Sequence, residues 1–565
     1  MRLCYLAPMH LLCRLGSSLL SAVVWAACAS DTTAKCLDER TLVRGDELTS
    51  CAATGQLCQD AQCVPAWKWQ APAWPTCASE PHATPESLAA KAAKYDERAA
   101  RLHVHPDLGV AHDLTLRAGV SEDSATLADV EARRHGENDG LWSALYLASQ
   151  AYRFAVTRSP EALAMIQRLL EAEETRMAIT GVPGVFTREY VKPGVPGTAC
   201  PTDLERYRVD LEKDDNKWVQ IRDDGCIWVV GRESGQWEKS SKCGLDRFAG
   251  WCFLDNVSKD EYAGHMLALV LLLHLVDEPG VQARVRELLG QVARHLVEHD
   301  LAFTDWDGRR TEHGRLSPLA LDDFPGFNAA MALAYVKAGV DATGDPALRT
   351  FYEECLLQRK GPKACLGIEA PDSLLSSFEA PGANGMYRGN DGCGSNYNNI
   401  SMHMLSLLTL SWLYQDDVRL RTSVQNHLDV EAFRKDHPRA VMKLHNPLFD
   451  FIFAAHKALG PGTDGHVPAV VEDGVCQLRQ FRASQQQVSI TLDPKHQPYC
   501  QDRFMRDVSE FPREAHERCA ATFVWWGDPY SLSVCTANPQ DVRQPAGYTL
   551  PYWMGRYYGF IGEGQ

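Results

Sequence analysis

The feature that most narrows the fold is a recurring pair of helical patterns, one apolar on every face and the next apolar on one face only. Leu141, Trp142, Ala144, Leu145, Tyr146, Leu147, Ala148, Ala151, Tyr152 and Phe154 leave no polar side, as a helix buried all round requires. The segment opening at Pro160 instead sets Leu163, Ile166, Leu169 and Leu170 on one stripe, with Arg168, Glu171 and Glu173 between or just after them. The pair returns as Tyr262 to Val276, followed by Val281, Val285, Leu288, Leu289, Val292 and Leu296 on a charged helix. It returns again as Phe327 to Val336 before Leu348, Phe351, Tyr352 and Cys355, and as Ile400 to Leu413 before Val418, Val424 and Leu428. Leu448 to Ala455 reads as a further inner helix, and a polar helix near Glu86 to Leu102 brings the set close to six αα-hairpins. This predicts a mainly α chain folded as an (α/α)6 toroid of inner and outer helices. A solenoid would show a fixed period of roughly 20 to 50 residues, and the spacing here is irregular.

Other segments depart from the pattern. Residues 181–256 carry Trp218, Val219, Ile221, Ile227, Trp228 and Val229 around the turn Asp223-Asp224-Gly225, with Cys200, Cys226, Cys243 and Cys252. That predicts a β excursion pinned by two disulfides. Residues 461–565 carry Cys476, Cys500, Cys519 and Cys535 with few helix signals, and read as a mixed extension packed back on the toroid of 85–460. Residues 29–84 hold five cysteines and a linker, Pro65 to Pro85 at its bounds, with five prolines and three tryptophans, too small a segment to bury a core without crosslinks.

Nineteen cysteines suit an oxidising compartment, and the start of the chain supplies the route. Residues 1–28 read as an export signal, with Arg2 and Arg14 ahead of a mostly small or apolar run, Leu15 to Ala27, of about 13 residues, short of the roughly 20 that span a bilayer. Trp25-Ala26-Ala27-Cys28 resembles a lipobox, so Cys28 is the expected lipidation site, leaving sixteen cysteines for pairing. The expectation is an exported protein, either secreted or held on the cell envelope by lipid alone. Net charge is −16 and no basic run occurs, which argues against nucleic acid as a partner.

Five stretches carry a family likeness. They are Lys91-Ala92-Ala93-Lys94-Tyr95-Asp96-Glu97-Arg98, Asn138-Asp139-Gly140-Leu141-Trp142, Ser258-Lys259-Asp260-Glu261-Tyr262-Ala263-Gly264-His265, Asn396-Tyr397-Asn398-Asn399-Ile400-Ser401 and Leu550-Pro551-Tyr552-Trp553-Met554-Gly555-Arg556-Tyr557. In these the chain resembles an uncharacterised family of exported bacterial proteins with an (α/α)6 toroid, itself similar to carbohydrate-active toroid enzymes at fold level only. The resemblance implies the fold over about Lys91 to Ile561 and no particular activity. Some relatives carry an Asp-Asp-Glu run where this chain has Asn399-Ile400-Ser401, which argues against acid/base chemistry at that site.

Inner helices that run the same way bring their N-terminal ends to one mouth. Those ends read Glu137-Asn138-Asp139, Asp260-Glu261 with His265 one turn on, Asp322-Asp323 with Asn328, Asn396 to Asn399 with His403, and His445-Asn446. Glycoside hydrolysis needs one protonated and one ionised carboxyl, and Asp139, Asp260 and Glu261 are the expected catalytic set. Asn138, His265, Asp323, Asn396, Tyr397, Asn399, His403 and Trp553 are the expected substrate contacts, with an oligo- or polysaccharide as partner. A lyase would instead use His265, His403, Tyr397 and Asn399. An acidic mouth disfavours a polyanionic uronate and hence the lyase. A non-catalytic glycan-binding or scaffold protein using the same mouth is the other alternative.

Each of these residues also has a purely structural use. Asp, Asn and Ser cap helices, and Ser258 with Glu261 has the spacing of a capping box. His295 and His299, four apart beside Glu298, read as surface histidines without a third ligand. There is no phosphate loop, His-Glu-x-x-His or Gly-x-Ser-x-Gly, and nothing in the sequence calls for a cofactor or a metal.

Overall fold

The computed structural model describes the chain outside residues 1–33, 39–40, 45–46, 51–55, 60–61, 66–81, 135, 210–215, 318–324, 359–373, 380–390, 430–436, 460–467, 520–526 and 536–537. Cys28, Asp322, Asp323, Trp525 and Trp526 therefore lie outside the described residues. The chain divides into two compact units, 1–70 and 71–565. In the first, β1 (Ala34–Asp38), β2 (Thr41–Arg44) and β3 (Glu47–Ser50) form an antiparallel sheet in that order. Strands β4 (Gln56–Gln59) and β5 (Gln62–Pro65) form a hairpin with Cys58 opposite Cys63.

The second unit is the toroid. Its inner helices are α2 (Asp139–Thr157), α4 (Lys259–Leu275), α6 (Pro325–Thr343), α9 (Tyr397–Leu413), α11 (Pro447–Leu459) and α13 (Ala546–Tyr557). The outer layer comprises α1 (Leu88–Arg98), α3 (Pro160–Thr180), α5 (Pro279–Glu298), the short α7 (Pro346–Phe351), α10 (Val418–His427) and α12 (Pro468–Gln480), and α8 (Leu374–Glu379) packs on α6. Each inner helix packs on the next, and α13 packs on α2, so the ring closes; α4 also touches α9 across it. Five outer helices follow their inner partners in sequence, while α1 packs on α13, joining the start of the unit to its end.

Local chemistry sets the boundaries. Ser159 caps α3 by accepting from the Ala162 N–H, Pro160 occupies its first turn, and Gly181 ends it in the left-handed conformation. The all-apolar inner helices bury nearly every side chain, Met266 to Leu271 and Ala329 to Val336 being 0% exposed. At one end of the ring the C-terminal turns of α2, α4, α9 and α13 meet: the ring of Tyr152 lies 6.4 Å from Trp412 and 5.4 Å from Tyr557, and His274 lies 5.5 Å from Trp412. That fixes these helices as parallel and closes this end with aromatic packing, and their N-termini point to the other.

Strands decorate the mouth end. Antiparallel pairing joins β6 (Leu114–Leu116), β7 (Val130–Arg133) and, from far along the chain, β17 (Asp541–Val542). The excursion forms a sheet in the order β11-β10-β9-β12-β8, built from β8 (Glu189–Val191), β9 (Trp218–Ile221), β10 (Ile227–Val230), β11 (Trp237–Lys239) and β12 (Cys252–Leu254). Disulfides Cys200–Cys252 and Cys226–Cys243 pin it, as expected. Two further hairpins are β13 (Ala302–Thr304) with β14 (Arg310–Arg315) and β15 (Pro498–Gln501) with β16 (Asp507–Ser509).

Three readings of the sequence change. The C-terminal segment supplies α12 and α13, the latter a full inner helix despite Pro551 within it and Gly547 and Gly555, which suppress its helical signature. His295 is buried and accepts a bond from the Thr304 N–H at 3.0 Å, so it holds β13 and is not a surface histidine. Glu261 does not close a capping box with Ser258, for reasons that belong to the site.

Candidate active site

A cavity of about 750 Å³ opens at the mouth end. Its wall combines Asn138, Asp139 and Trp142 of α2 with Asn396, Tyr397 and Asn398 at the start of α9. Gly547 contributes from α13 and Gln544 from the turn before it, and Asp502, Arg503, Phe504 and Arg506 from the tip of the β15–β16 hairpin.

Asp139 is the carboxyl whose setting is most unusual. It begins α2, is only 9% exposed, and accepts from the Gly136 N–H at 2.7 Å. Burial, and then the charge and hydrogen bond of Glu189, push its titration well above the usual carboxylate range, toward the protonated form. Glu189 sits fully buried on β8, its Oε1 accepting from the Tyr190 N–H, with the His112 Nε2 at 3.5 Å and the Arg176 guanidinium at 3.8 Å from Oε2. The excursion thus delivers a carboxylate to the first turn of α2. Arg188, beside it, donates to the backbone oxygens of Asn256 at 2.8 Å and Glu137 at 2.7 Å, clamping β8 to the turn before α2. His112, Asp139 and Glu189 offer ligand atoms all within 4.8 Å of one another, so the trio has the donor set for a divalent cation. Arg176 already supplies a positive charge to Glu189, which favours a shared proton over a second cation there.

Glu261 serves the same helix from the other side. It is fully buried, and its Oε2 accepts from the Leu141 N–H at 2.8 Å, satisfying a free donor of the first turn of α2 and not its own helix. Behind it His265 stands 3.7 Å from the same oxygen and 2.5 Å from Glu173 on α3. Gly140 makes room: a β-carbon there would overlap the Glu261 carboxylate and lie 2.9 Å from the His265 Nε2. Gly264 does the same in reverse, its missing β-carbon leaving space for the Leu141 backbone oxygen that it would otherwise meet at 2.8 Å.

Burial opposes charge on His265, but Glu173 and then Glu261 outweigh it and raise the imidazole from 6.5 to about 8. Its contribution to stability is therefore complete below about 6.5 and lost as pH rises through about 8, amounting to about 2 kcal/mol. Buried Asp255, raised to about 8 beside Asp305, loses stability in the same direction, so a comparison is needed to isolate the imidazole. Thermal melts between pH 5 and 9 should show the loss moving to lower pH in Glu173→Gln; coincident profiles would remove His265 from the linkage.

The remaining expected residues divide. Asn138 precedes α2 and accepts from Arg188 at 3.4 Å. Asn396 caps α9, its Oδ1 accepting from the N–H groups of Asn398 and Asn399. Asp260 accepts from the Asn398 amide at 3.3 Å, which ties the start of α4 to a residue lining the cavity. The Tyr397 ring lies 6.0 Å from that of Tyr530. His403 is fully buried 2.8 Å from the His427 Nε2, and burial followed by that neighbour drives its titration well below 6.5. Trp553 donates to Asp96 of α1 at 2.9 Å. Of the expected residues, Asn138, Asp139, Asn396 and Tyr397 are among the described lining residues, and Asp260, Glu261, His265, Asn399, His403 and Trp553 are not.

Sequence reading missed Glu189, His112 and the hairpin tip. The described aromatic lining is Tyr95, Trp142, Tyr397, Phe481 and Phe504, the last 61% exposed. The expected acidic mouth is not observed: six arginines face five acids along the described wall.

Comparison with known proteins adds the following. No family model and no curated protein matches the chain. Among solved structures it is similar to an inactive variant of the α-1,6-mannanase GH76A of Salegentibacter sp. in complex with α-1,6-mannotetrose, at 8% identity over 84% of this chain and 100% of that one, with a TM-score of 0.38. It is also similar to the cellulase Cel9M of C. cellulolyticum, at 9% identity over 84% and 99% of the two chains and a TM-score of 0.35. A metagenome-derived glycoside hydrolase family 9 endoglucanase aligns at 12% identity over 83% and 80%, with a TM-score of 0.36.

Proposed function

We propose that this protein cleaves a glycan in the mouth cavity by hydrolysis, with Asp139 donating a proton to the departing glycosidic oxygen and Asp260 acting as the ionised partner. The observation that carries this reading is a carboxyl on the wall of a cavity large enough for a few sugar rings, buried against Glu189 and so biased toward its protonated form. Such a pairing of one protonated and one ionised carboxyl is what glycosidic cleavage requires. Asp260, half-buried and not itself among the described lining residues, is bonded by the amide of Asn398, which does line the cavity, and in this reading it activates water or attacks the anomeric carbon. In this scheme Glu261 positions the first turn of α2, and Asn138, Asn396, Tyr397 and Trp142 meet the sugar. Incubation with a panel of polysaccharides should release new reducing ends. A lyase is favoured by one observation, the arginines of the wall, and would instead yield ultraviolet-absorbing unsaturated products. Loss of cleavage on chelation would reassign the His112–Asp139–Glu189 trio to a cation.

The four described disulfides fit an oxidising compartment, and among the described residues no helix is long and apolar enough to cross a membrane. We propose that lipid on Cys28 anchors the chain. Cys28→Ser should move the protein from the detergent phase to the aqueous phase on phase partitioning, and unchanged partitioning would remove the anchor.

A further inference from the structure

We infer that the glycan bound at the mouth is anionic, bearing uronate carboxylates or sulfate esters that Arg482 and Arg503 recognise. This rests on the glycan-cleavage reading of the same cavity and adds the substrate class to it. The described wall carries Arg134, Arg482, Arg503, Arg506, Arg518 and Arg543 against Asp113, Glu137, Asp139, Asp502 and Asp528. Asp113 and Asp502 are already matched, the first by Arg543 at 2.5 Å and the second by Arg506 at 2.6 Å. Arg134 pairs with Asp541 outside the cavity, and buried Arg518 donates to the backbone oxygens of Arg513 and Leu444.

Arg482 and Arg503 are left exposed, with no carboxylate within ion-pair distance among the described residues. Arg482 makes one long bond, to the His516 backbone oxygen at 3.4 Å. Arg503 stands 4.8 Å from the ring of Phe504, at a hairpin tip that Asp502 organises by accepting from the N–H groups of Phe504 and Arg506. Arg506 also lies over that ring, at 4.9 Å, so the tip presents the Arg503 guanidinium together with an aromatic side chain that is still 61% exposed. A uronate residue offers the matching pair, a carboxylate for the fork and an apolar ring face for the stack. Glu137 and Asp528 remain on the same wall, so the positive character lies locally with the guanidinium groups of Arg482 and Arg503, in a chain that carries −16 as a whole. The N-terminal ends of α2, α9 and α13, which converge on the same space, add partial positive charge of the same sign.

Affinity electrophoresis in gels containing polygalacturonate, alginate, hyaluronan or chondroitin sulfate, with galactan, mannan and hydroxyethylcellulose as neutral counterparts, tests this directly. Retardation is expected in at least one acidic polymer and in none of the neutral ones, and it should weaken as salt is raised. The carboxylate-only and sulfated polymers separate the two anion sources. The double variant Arg482→Gln, Arg503→Gln should weaken retention at least tenfold while melting like the parent, since both side chains are exposed. Retardation by a neutral polymer, acidic retention that survives the double substitution, or no retention in any acidic polymer would each overturn the inference. Retention without new reducing ends or unsaturated products would leave it standing and remove the cleavage reading, whereas cleavage of a neutral glycan would do the reverse.

Discussion

An Asp139→Asn variant is expected to fold like the parent and to lose about 100-fold to 10,000-fold in turnover, the usual effect of removing a positioned acid. The folding half follows from the contacts. The Asn carbonyl oxygen can still accept from the Gly136 N–H, and its amide can donate to Glu189 in place of the carboxyl hydrogen bond. Asn begins or caps a helix about as well as Asp. The loss in rate follows because an amide cannot release a proton to a departing oxygen. Asp260→Asn should lose turnover similarly, since Asn398 remains free to bond the amide oxygen. Glu261→Gln makes the informative contrast: its oxygen can still accept from the Leu141 N–H, but the charge facing His265 is gone, so it should change melting more than rate. Kinetics on the glycan identified by the panel, with melts alongside, decide the matter. Full turnover in Asp139→Asn would leave Asp139 as part of the scaffold and move the chemistry elsewhere on the wall.

The helices were legible wherever burial alone dictated sequence. Inner helices such as α4 and α6 are surrounded by protein, so every position is apolar and the pattern announces itself without knowledge of neighbours. The last inner helix was hidden because Tyr548, Pro551, Tyr552 and Trp553 give little helical preference, and only packing on α2 and α1 holds them helical. Asp139 was legible as the acid at a convergent helix start. Its partner was not, because Glu189 lies fifty residues on, inside a strand of the excursion, and a strand pattern says nothing of which helix turn it will face.

Glu261 shows the same limit at shorter range. The spacing Ser258 to Glu261 satisfies a capping box locally, yet α2 and α4 approach so closely at Gly140 and Gly264 that the carboxylate finds the Leu141 N–H first. A local rule lost to a tertiary donor left open by the neighbouring helix. The charge of the mouth failed to show for a related reason. Apart from Arg134, just ahead of the Asp139 helix start, its arginines come from the C-terminal segment, outside the helix starts whose acids stand out in the sequence.

Replacing both Cys393 and Cys500 with Ser is expected to lower stability by about 2 to 4 kcal/mol and to raise KM with little change in kcat. The disulfide joins residues 107 apart, so its loss frees a long loop in the unfolded chain. In the folded state it does something more specific. Cys393 precedes the Asn396 cap of α9, and Cys500 lies on β15, whose hairpin tip carries Arg503 and Phe504 over the cavity. Without the crosslink the tip still has its Asp502 turn but loses its covalent tie to the mouth, although Arg439 continues to bond the Ser509 backbone oxygen at 2.8 Å. Contacts from the tip to substrate exist equally before and during bond cleavage, so weakening them is read in KM and leaves the step at Asp139 intact. Denaturant melts give the first quantity and steady-state kinetics the second. A variant that is destabilised with unchanged KM would separate the hairpin from substrate binding, and one whose kcat falls with KM unchanged would mean that the tether positions the reacting groups themselves.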